Sequence, residues 1–411
     1  MKNIKIIPII VFTFLLAWFV PWAYHLATEK PERFPFAYYS SIINDFGIRE
    51  SDGEKSILTD SKGTSFTQLE FDSILPMMYY RQLASQGRLP DSLHGRAIDQ
   101  KVIATYNFYF RYRPSDQFKP AIRLYPLFES IPKRVDLEMP GDVFRLTNEI
   151  SFIDPVTNTI NESKSKVFNV MLKKRGFQGP ARLVAGTPTT RKAYDNGYFI
   201  IDSTGALFHL KMVNGKPFIK KVETASEIKP QWIVTTEYPS KLFYGFLFTE
   251  DNRLFSIGTN GYELKEVSMP VFNQESDNLL IMGNIFYWNV QVNRKEAQEV
   301  WALDAKTLEV VDRIVFSAQS DDNPCYKWIV PFELTCTSRL NAYVFPFIKF
   351  DGVNYMMLSA VLVLLFVWIT RKSGKKLNLF EVVWIFLTGI YGLVSILLFG
   401  KTGRIIRIKQ S

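Results

Sequence analysis

Tyr198 to Leu210 reads YFIIDSTGALFHL, two apolar runs around Asp202-Ser203-Thr204-Gly205. Aromatic and β-branched residues favour extended chain, and Asp, Ser and Gly favour a tight reversal, so the stretch predicts a β-hairpin. The same grammar recurs on both sides of it. Phe246–Ile257 (FLFTEDNRLFSI) turns at Glu250-Asp251-Asn252, and Val300–Val310 (VWALDAKTLEV) turns at Asp304-Ala305-Lys306-Thr307. Ile150–Ile160 (ISFIDPVTNTI) turns at Asp154-Pro155. The acids that open these turns fall at 154, 202, 250 and 304, in steps of 48, 48 and 54. ILTDSKGTSF around Asp60 is an earlier match, and Tyr106–Leu124 has an aromatic strand pattern around Pro114-Ser115-Asp116. A period of about 40–50 residues with paired hairpins is what propeller blades show; stacked β-meanders without a true repeat are the alternative.

One helix is expected inside this body, at about 72–87 (DSILPMMYYRQLASQG). Asp72 would be its N-cap, Pro76 would sit in its first turn, and Gly87 would stop it. Ile74, Leu75, Met78, Tyr79 and Leu83 fall on one face, a stripe suited to packing on the sheets.

The ends of the chain are different in kind. Ile4–Tyr24 carries one charge, Lys5, and is long enough to cross a hydrocarbon layer that needs about 20 residues. A retained anchor is favoured over a cleaved signal, because a cut after Ala27 would put His25 where a small residue is needed. Val353–Thr370 and Leu377–Gly400 form a second and third apolar run, joined by the basic stretch Arg371–Lys376. Glu381, near the start of the third, reads as an interfacial residue rather than part of an ion pathway. The expected organisation is an anchor at 1–27, a β-rich body at 28–350, a transmembrane helical hairpin at 351–400 and a basic tail at 401–411.

Charge supports that division. Residues 1–24 and 351–411 hold ten of the 49 Lys and Arg but two of the 40 acids. They therefore carry +8 of the net +9, and residues 25–350 carry +1. A nearly neutral body has little to offer a phosphate backbone, so nucleic acid is excluded as a partner class and the lipid bilayer is the expected one. Lys2, Lys5 and the 371–376 loop place both on the cytoplasmic side, which puts the body outside, in the periplasm of a bacterial inner membrane. The tail, with Lys401, Arg404, Arg407 and Lys409, conflicts with this if all three segments cross. A third segment that only dips into the bilayer would remove the conflict.

Chemistry is sparse. Three His and two Cys make a multi-imidazole metal site or a disulfide scaffold a poor reading, and neither a metal nor a cofactor is expected. His25, His94 and His209 lie far apart, and His209 reads as a strand residue at a wet or core-edge position. Gly400-Lys401-Thr402 imitates a phosphate loop, but Ser395 stands where its first Gly is required. Asp321-Asp322-Asn323 lacks the rest of a calcium loop, and Arg111-Tyr112-Arg113 reads as the wet face of a strand. Cys325 and Cys336 flank a ten-residue run and are a possible disulfide; two reduced thiols fit the spacing equally well.

At Tyr79-Tyr80-Arg81-Gln82-Leu83 and Gly87–Ser92 the chain resembles a family of uncharacterised inner-membrane proteins from Bacteroides and relatives, defined by a domain of unknown function. The resemblance covers nearly the whole chain, anchor and terminal hairpin included. It implies an accessory role beside ABC-transporter subunits, with a permease or ATPase as partner, and it supplies no site residues. It also implies that Asp72-Ser73-Ile74, Asp91-Ser92-Leu93 and Asp202-Ser203-Thr204 fit an O-glycosylation triplet. The expected function is thus a non-enzymatic accessory or scaffold subunit. A ligand-binding sensor and a hydrolase or lyase on a propeller-like fold are the alternatives.

Overall fold

The structure is a computed structural model that describes residues 6–28, 34–51, 55–131, 137–192, 194–317, 324–338, 340–350, 352–374 and 376–400. It divides into a helical unit, Met1–Glu32 with Gln319–Ser411, and a β unit, Arg33–Ala318. The stretch from Gln319, expected in the body, groups with the helices.

In the helical unit α1 (Ile6–Thr28) opens the described chain. The β unit then begins with sheet I: β1 (Phe36–Tyr39), β2 (Phe46–Ser51) and β3 (Ser56–Asp60). Next come α2 (Gln68–Ile74), α3 (Pro76–Ser85), the small hairpin β4 (Ser92–Leu93) and β5 (Arg96–Ala97), and α4 (Gln100–Tyr106). Strand β6 (Phe108–Tyr112) and the short α5 (Pro114–Gln117) follow. Sheet II holds β7 (Tyr125–Pro126), β8 (Val143–Leu146), β9 (Ile150–Asp154) and β10 (Thr159–Ile160), and α6 (Glu162–Lys174) packs on it. Sheet III holds β11 (Leu183–Gly186), β12 (Tyr198–Ile201), β13 (Leu207–Val213) and β14 (Lys216–Val222). Sheet IV holds β15 (Pro230–Thr235), β16 (Phe243–Thr249), β17 (Leu254–Gly258) and β18 (Leu264–Glu266). Sheet V holds β19 (Asn278–Gly283), β20 (Tyr287–Asn293), β21 (Ala297–Asp304) and β22 (Val310–Ser317), with β6 paired to β19 at its edge.

Among the described residues the strands within each sheet pair antiparallel, with one isolated parallel bridge from Glu129 to Met212, and the sheets stack face to face. Alternation along β12 explains how: Tyr198 and Ile200 join the core shared with sheet II, while Phe199 and Ile201 join the core shared with sheet IV. A strand buried on both faces must be apolar at consecutive positions, which is why YFII reads as one run. Phe246 and Phe248 likewise pack toward sheet V and Leu247 toward sheet III. Val300 and Ala302 of sheet V meet Ala37, Tyr39, Phe46 and Ile48 of sheet I. The stacking order is therefore II, III, IV, V, I, and among the described residues the sheets do not close into a barrel or propeller.

Each of the four hairpins exists where its turn residues place it. Their even spacing is not a uniform repeat, however. Asp202 and Glu250 link the second and third strands of their sheets, whereas Asp154 links the third and fourth and Asp304 links β21 to β22. Asp202 shows why an acid opens the turn. It is fully buried, and its Oδ1 accepts from Thr204 N (2.8 Å), Thr204 Oγ1 (2.7 Å) and Ala206 N (3.0 Å) while Oδ2 accepts from Gln178 N (3.1 Å). Asp202→Ala strands these donors and should cost about 2–3 kcal/mol in denaturant titrations of the full chain; a loss under about 0.5 kcal/mol would contradict this account of the turn.

The expected helix at 72–87 is two helices. Thr67 caps α2 in a reciprocal capping box with Glu70, so Asp72 lies inside α2 rather than at an N-cap. Pro76 opens α3, and Gly87, at φ +65°, stands just past its end as read. Ile74 and Leu75 pack against Tyr38, Leu58, Ile98 and Ile103, joined by Met77 and Tyr80, which the one-faced stripe omitted.

The helical unit adds α7 (Pro324–Ile329), the hairpin β23 (Glu333–Thr335) and β24 (Phe347–Lys349), α8 (Tyr355–Lys372) and α9 (Leu379–Phe399). Three helices, α1, α8 and α9, are long and apolar enough to cross a membrane. The α9 helix is not straight. At Gly389 the backbone takes φ +55°, ψ −133°, and the helix reverses. A Cβ on Gly400 would lie 3.2 Å from Glu381 Oε1, although 19 residues of unbroken helix would separate the two by about 28 Å. Glu381 is buried there (2% exposed) rather than solvated at an interface.

Candidate functional site

The densest cluster of buried charge lies where sheets III and IV meet. The loop from β11 to β12 and the loop from β15 to β16 bring Lys192, Asp195 and Glu237 together, each less than a tenth exposed. The Lys192 ammonium donates to the Asp195 carboxylate, to Glu237 Oε1 (2.7 Å) and to Thr187 O (2.7 Å). Both acids also receive backbone donors, Gly197 N on Asp195 Oδ2 (2.8 Å) and Asn196 N on Glu237 Oε1 (2.8 Å). Beside them Thr187 and Thr235 hydroxyls bond at 2.9 Å across the two sheets. Burial pushes the Glu237 carboxyl up, and the bond from Lys192 only partly offsets it.

Asn196 links this cluster to His209. The His209 Nε2 lies 2.5 Å from Asn196 O, an acceptor, so Nε2 carries the proton and donates. Nδ1 therefore accepts from Tyr262 Oη at 2.8 Å. The imidazole stacks on Phe199 at 4.2 Å and is fully buried, which corrects its reading as a wet or core-edge residue. Burial, and then the nearby Lys211, hold its pKa down to about 3, so the ring is neutral. The cluster contains what acid–base chemistry needs, an imidazole and two acids. Both ring nitrogens are engaged and the ring meets no solvent, so the arrangement fastens two sheets rather than receiving a substrate.

His209 has a pH signature. Its folded pKa lies below the unfolded value of about 6.5, so the unfolded chain binds the proton first and stability falls as pH drops from 6.5 toward 3. At pH 5 that loss is about 2 kcal/mol. Glu237, whose folded pKa is raised, contributes with the opposite sign, favouring the folded chain as pH falls toward 4.5. His209→Gln should flatten the acid limb in denaturation measured at pH 5 and 7; an unchanged slope would contradict the buried neutral ring.

The opposite end of the same two sheets holds an open cavity of about 400 Å³, lined by Arg182, Thr204, Lys221, Glu223, Lys229 and Glu250. Arg182 and Glu250 approach at 3.7 Å across it. It is polar and accessible, suited to a small charged ligand rather than to an apolar one.

The residues singled out from sequence are scattered. His94 sits on the exposed β4–β5 turn at φ +48°, edge-on to Phe286, and His25 lies in the helical unit 3.3 Å from Glu333. Cys336 is exposed; the Cys325 side chain and Asp321–Asn323 lie outside the described residues, so the possible disulfide stays an expectation. Lys401 and Thr402 also lie outside them. Arg111 and Arg113 are exposed around buried Tyr112, the alternation of a strand with one wet face. Of the three triplet serines, Ser92 is exposed, Ser73 donates to Leu69 O (3.0 Å) inside α2, and Ser203 donates to Gln178 O (2.9 Å). Among the described residues no group of three or more His, Cys, Asp and Glu is placed to hold a metal. Lys192, Asp195 and Glu237 were missed; the turn signal Asp195-Asn196-Gly197 marked a loop there but not its partners.

A family model described as a domain of unknown function (DUF4857) matches residues 36–303, and the chain belongs to that family. The match covers the β unit as far as β21; the expected reach over the anchor and terminal hairpin is not part of it. No curated protein matches the chain. Among solved structures, the dihydro-heme d1 dehydrogenase NirN in complex with DHE is similar over 57% of this chain and 67% of that one, at 10% identity and a TM-score of 0.20. A score that low assigns neither the fold nor heme chemistry to this protein.

Proposed function

We propose that this protein is a non-enzymatic integral membrane protein that holds its β unit on the periplasmic face of a bacterial inner membrane. It serves there as an accessory or scaffold subunit of an ABC-transporter-type complex. One observation supports the membrane reading above the rest: the helical unit turns bulky apolar side chains outward and buries hydroxylated residues among the apolar ones between its helices. Ile7, Val11, Leu15, Trp18 and Trp22 form an exposed stripe along α1, and Met357, Val361, Leu364 and Trp368 form one along α8. Thr13, Ser359, Thr388 and Ser395 are buried between the helices. Bulky apolar groups face lipid, while small and hydroxylated residues bring helices together, as the hydrocarbon layer requires. The basic ends set the orientation. The stacked meanders are best described as an open, propeller-like series.

The β unit's charged cluster is consumed in fastening sheets III and IV, which suits a body that presents surface to a partner. Purification from native membranes should recover a permease or ATPase with the protein; recovery of the chain alone would overturn the scaffold role. A ligand-binding sensor is the second reading, favoured by the polar cavity at Arg182 and Lys221. A specific ligand that raises the melting temperature, and that Arg182→Ala abolishes, would support it.

A further inference from the structure

The reversal in α9 has consequences for the topology of the whole chain. Its two arms lie side by side among the other helices of the unit. Thr13 Oγ1 on α1 donates to Ser395 Oγ on the returning arm (3.0 Å) or to Ile9 O (2.8 Å), and it accepts from Trp384 Nε1 on the outgoing arm (3.0 Å). Ile385 and Ile396, one from each arm, share a cluster with Ile9 and Phe366. The returning arm runs antiparallel to α1, with Tyr391 packed near Ala17, Ser395 on Thr13 and Phe399 edge-on to Phe12 at 5.4 Å.

The tip is built for the turn. A Cβ on Gly389 would stand 2.9 Å from Pro331 Cγ and 3.1 Å from Ser359 Oγ, at a backbone conformation that L side chains rarely adopt. The tip is therefore enclosed by protein. Non-helical backbone at membrane depth is tolerated only in such a place, because lipid offers the freed peptide groups no partners. Each arm has about ten residues, roughly 15 Å of rise, and falls short of a hydrocarbon layer of about 30 Å.

We infer that α9 is a re-entrant hairpin that enters and leaves on one face of the membrane, so that the chain crosses twice, by α1 and α8. This rests on the membrane reading above. Gly400 then exits on the side of Asn378, which is also the side of the Arg371–Lys376 loop. Lys401, Arg404, Arg407 and Lys409 follow Gly400 and join Lys2 and Lys5 on the same face. The conflict between the basic tail and three crossings disappears, and every basic cluster at the ends obeys the positive-inside rule together. Hydropathy alone reads α9 as a span, because Gly389 occurs within an apolar run long enough for one.

The test uses the full chain carrying green fluorescent protein or alkaline phosphatase at either terminus. The first reporter works only in the cytoplasm and the second only outside it. The re-entrant hairpin predicts that both termini report the same side, with fluorescence at least tenfold above that of a three-crossing control and phosphatase at background. Reporters on opposite sides would overturn the hairpin and leave the membrane reading intact. Extraction of the chain by alkaline carbonate would overturn both.

Discussion

Lys192→Met is expected to destabilise the full chain by about 3–5 kcal/mol, read as a lower denaturation midpoint by intrinsic tryptophan fluorescence in detergent. Methionine keeps most of the volume and removes the charge, leaving two carboxylates that are each less than a tenth exposed without their cation. An isolated charge in such surroundings costs far more than a surface ion pair contributes. The effect has a pH dependence that separates it from lost packing. Glu237 already has its carboxyl pushed up by burial, and loss of the Lys192 bond raises it further. A carboxyl with a raised folded pKa contributes stability that is present at low pH and lost as pH rises through that value. The loss should therefore be larger at pH 8 than at pH 5. A loss below about 1 kcal/mol, or one independent of pH, would mean that the cluster does not fasten the two sheets.

Phe110→Ala should cost a comparable amount, about 3–5 kcal/mol. Phe110 is 3% exposed, its ring lies 4.3 Å from Phe246 of sheet IV, and its strand pairs Phe110 with Ile281 of sheet V. It therefore fills the core between two sheets from a strand that arrives from far along the chain. The neighbouring Tyr109 is 56% exposed and offers its backbone carbonyl, not its ring, to Tyr238. Tyr109→Ala should change stability by no more than about 0.5 kcal/mol. Equal losses for the two variants would contradict the placement of β6 at the edge of sheet V.

Local chemistry was the legible part of this chain. Asp154, Asp202 and Asp304 announce turns because their side chains accept the turn's own amides, and at the 249–253 turn the Thr249 hydroxyl accepts from Arg253 N, so each hairpin could be found without knowing its neighbours. What the hairpins pair with is decided at long range, and so the even spacing of their acids suggested a repeat that the strand order does not follow. The β6–β19 pairing has no local signature at all. His209 was misplaced for a related reason. One strand's alternation cannot reveal that a second sheet covers its other face. The α2 start is present in the sequence as Thr67-x-x-Glu70, with Thr67 five residues before the expected N-cap Asp72. The cluster of Lys192, Asp195 and Glu237 spans two loops with no common motif. Gly389 was likewise readable only as a glycine inside an apolar run, since the reversal depends on Pro331 and Ser359 enclosing it.

The account depends on the β unit lying across the membrane from Lys2 and the 371–376 loop. Val156, 91% exposed on the β9–β10 turn, offers a direct probe. In a chain whose two native cysteines are replaced by serine, Val156→Cys should react with a maleimide that cannot pass the cytoplasmic membrane while the cells are intact. Reaction only after lysis would place the β unit on the cytoplasmic side and contradict the account.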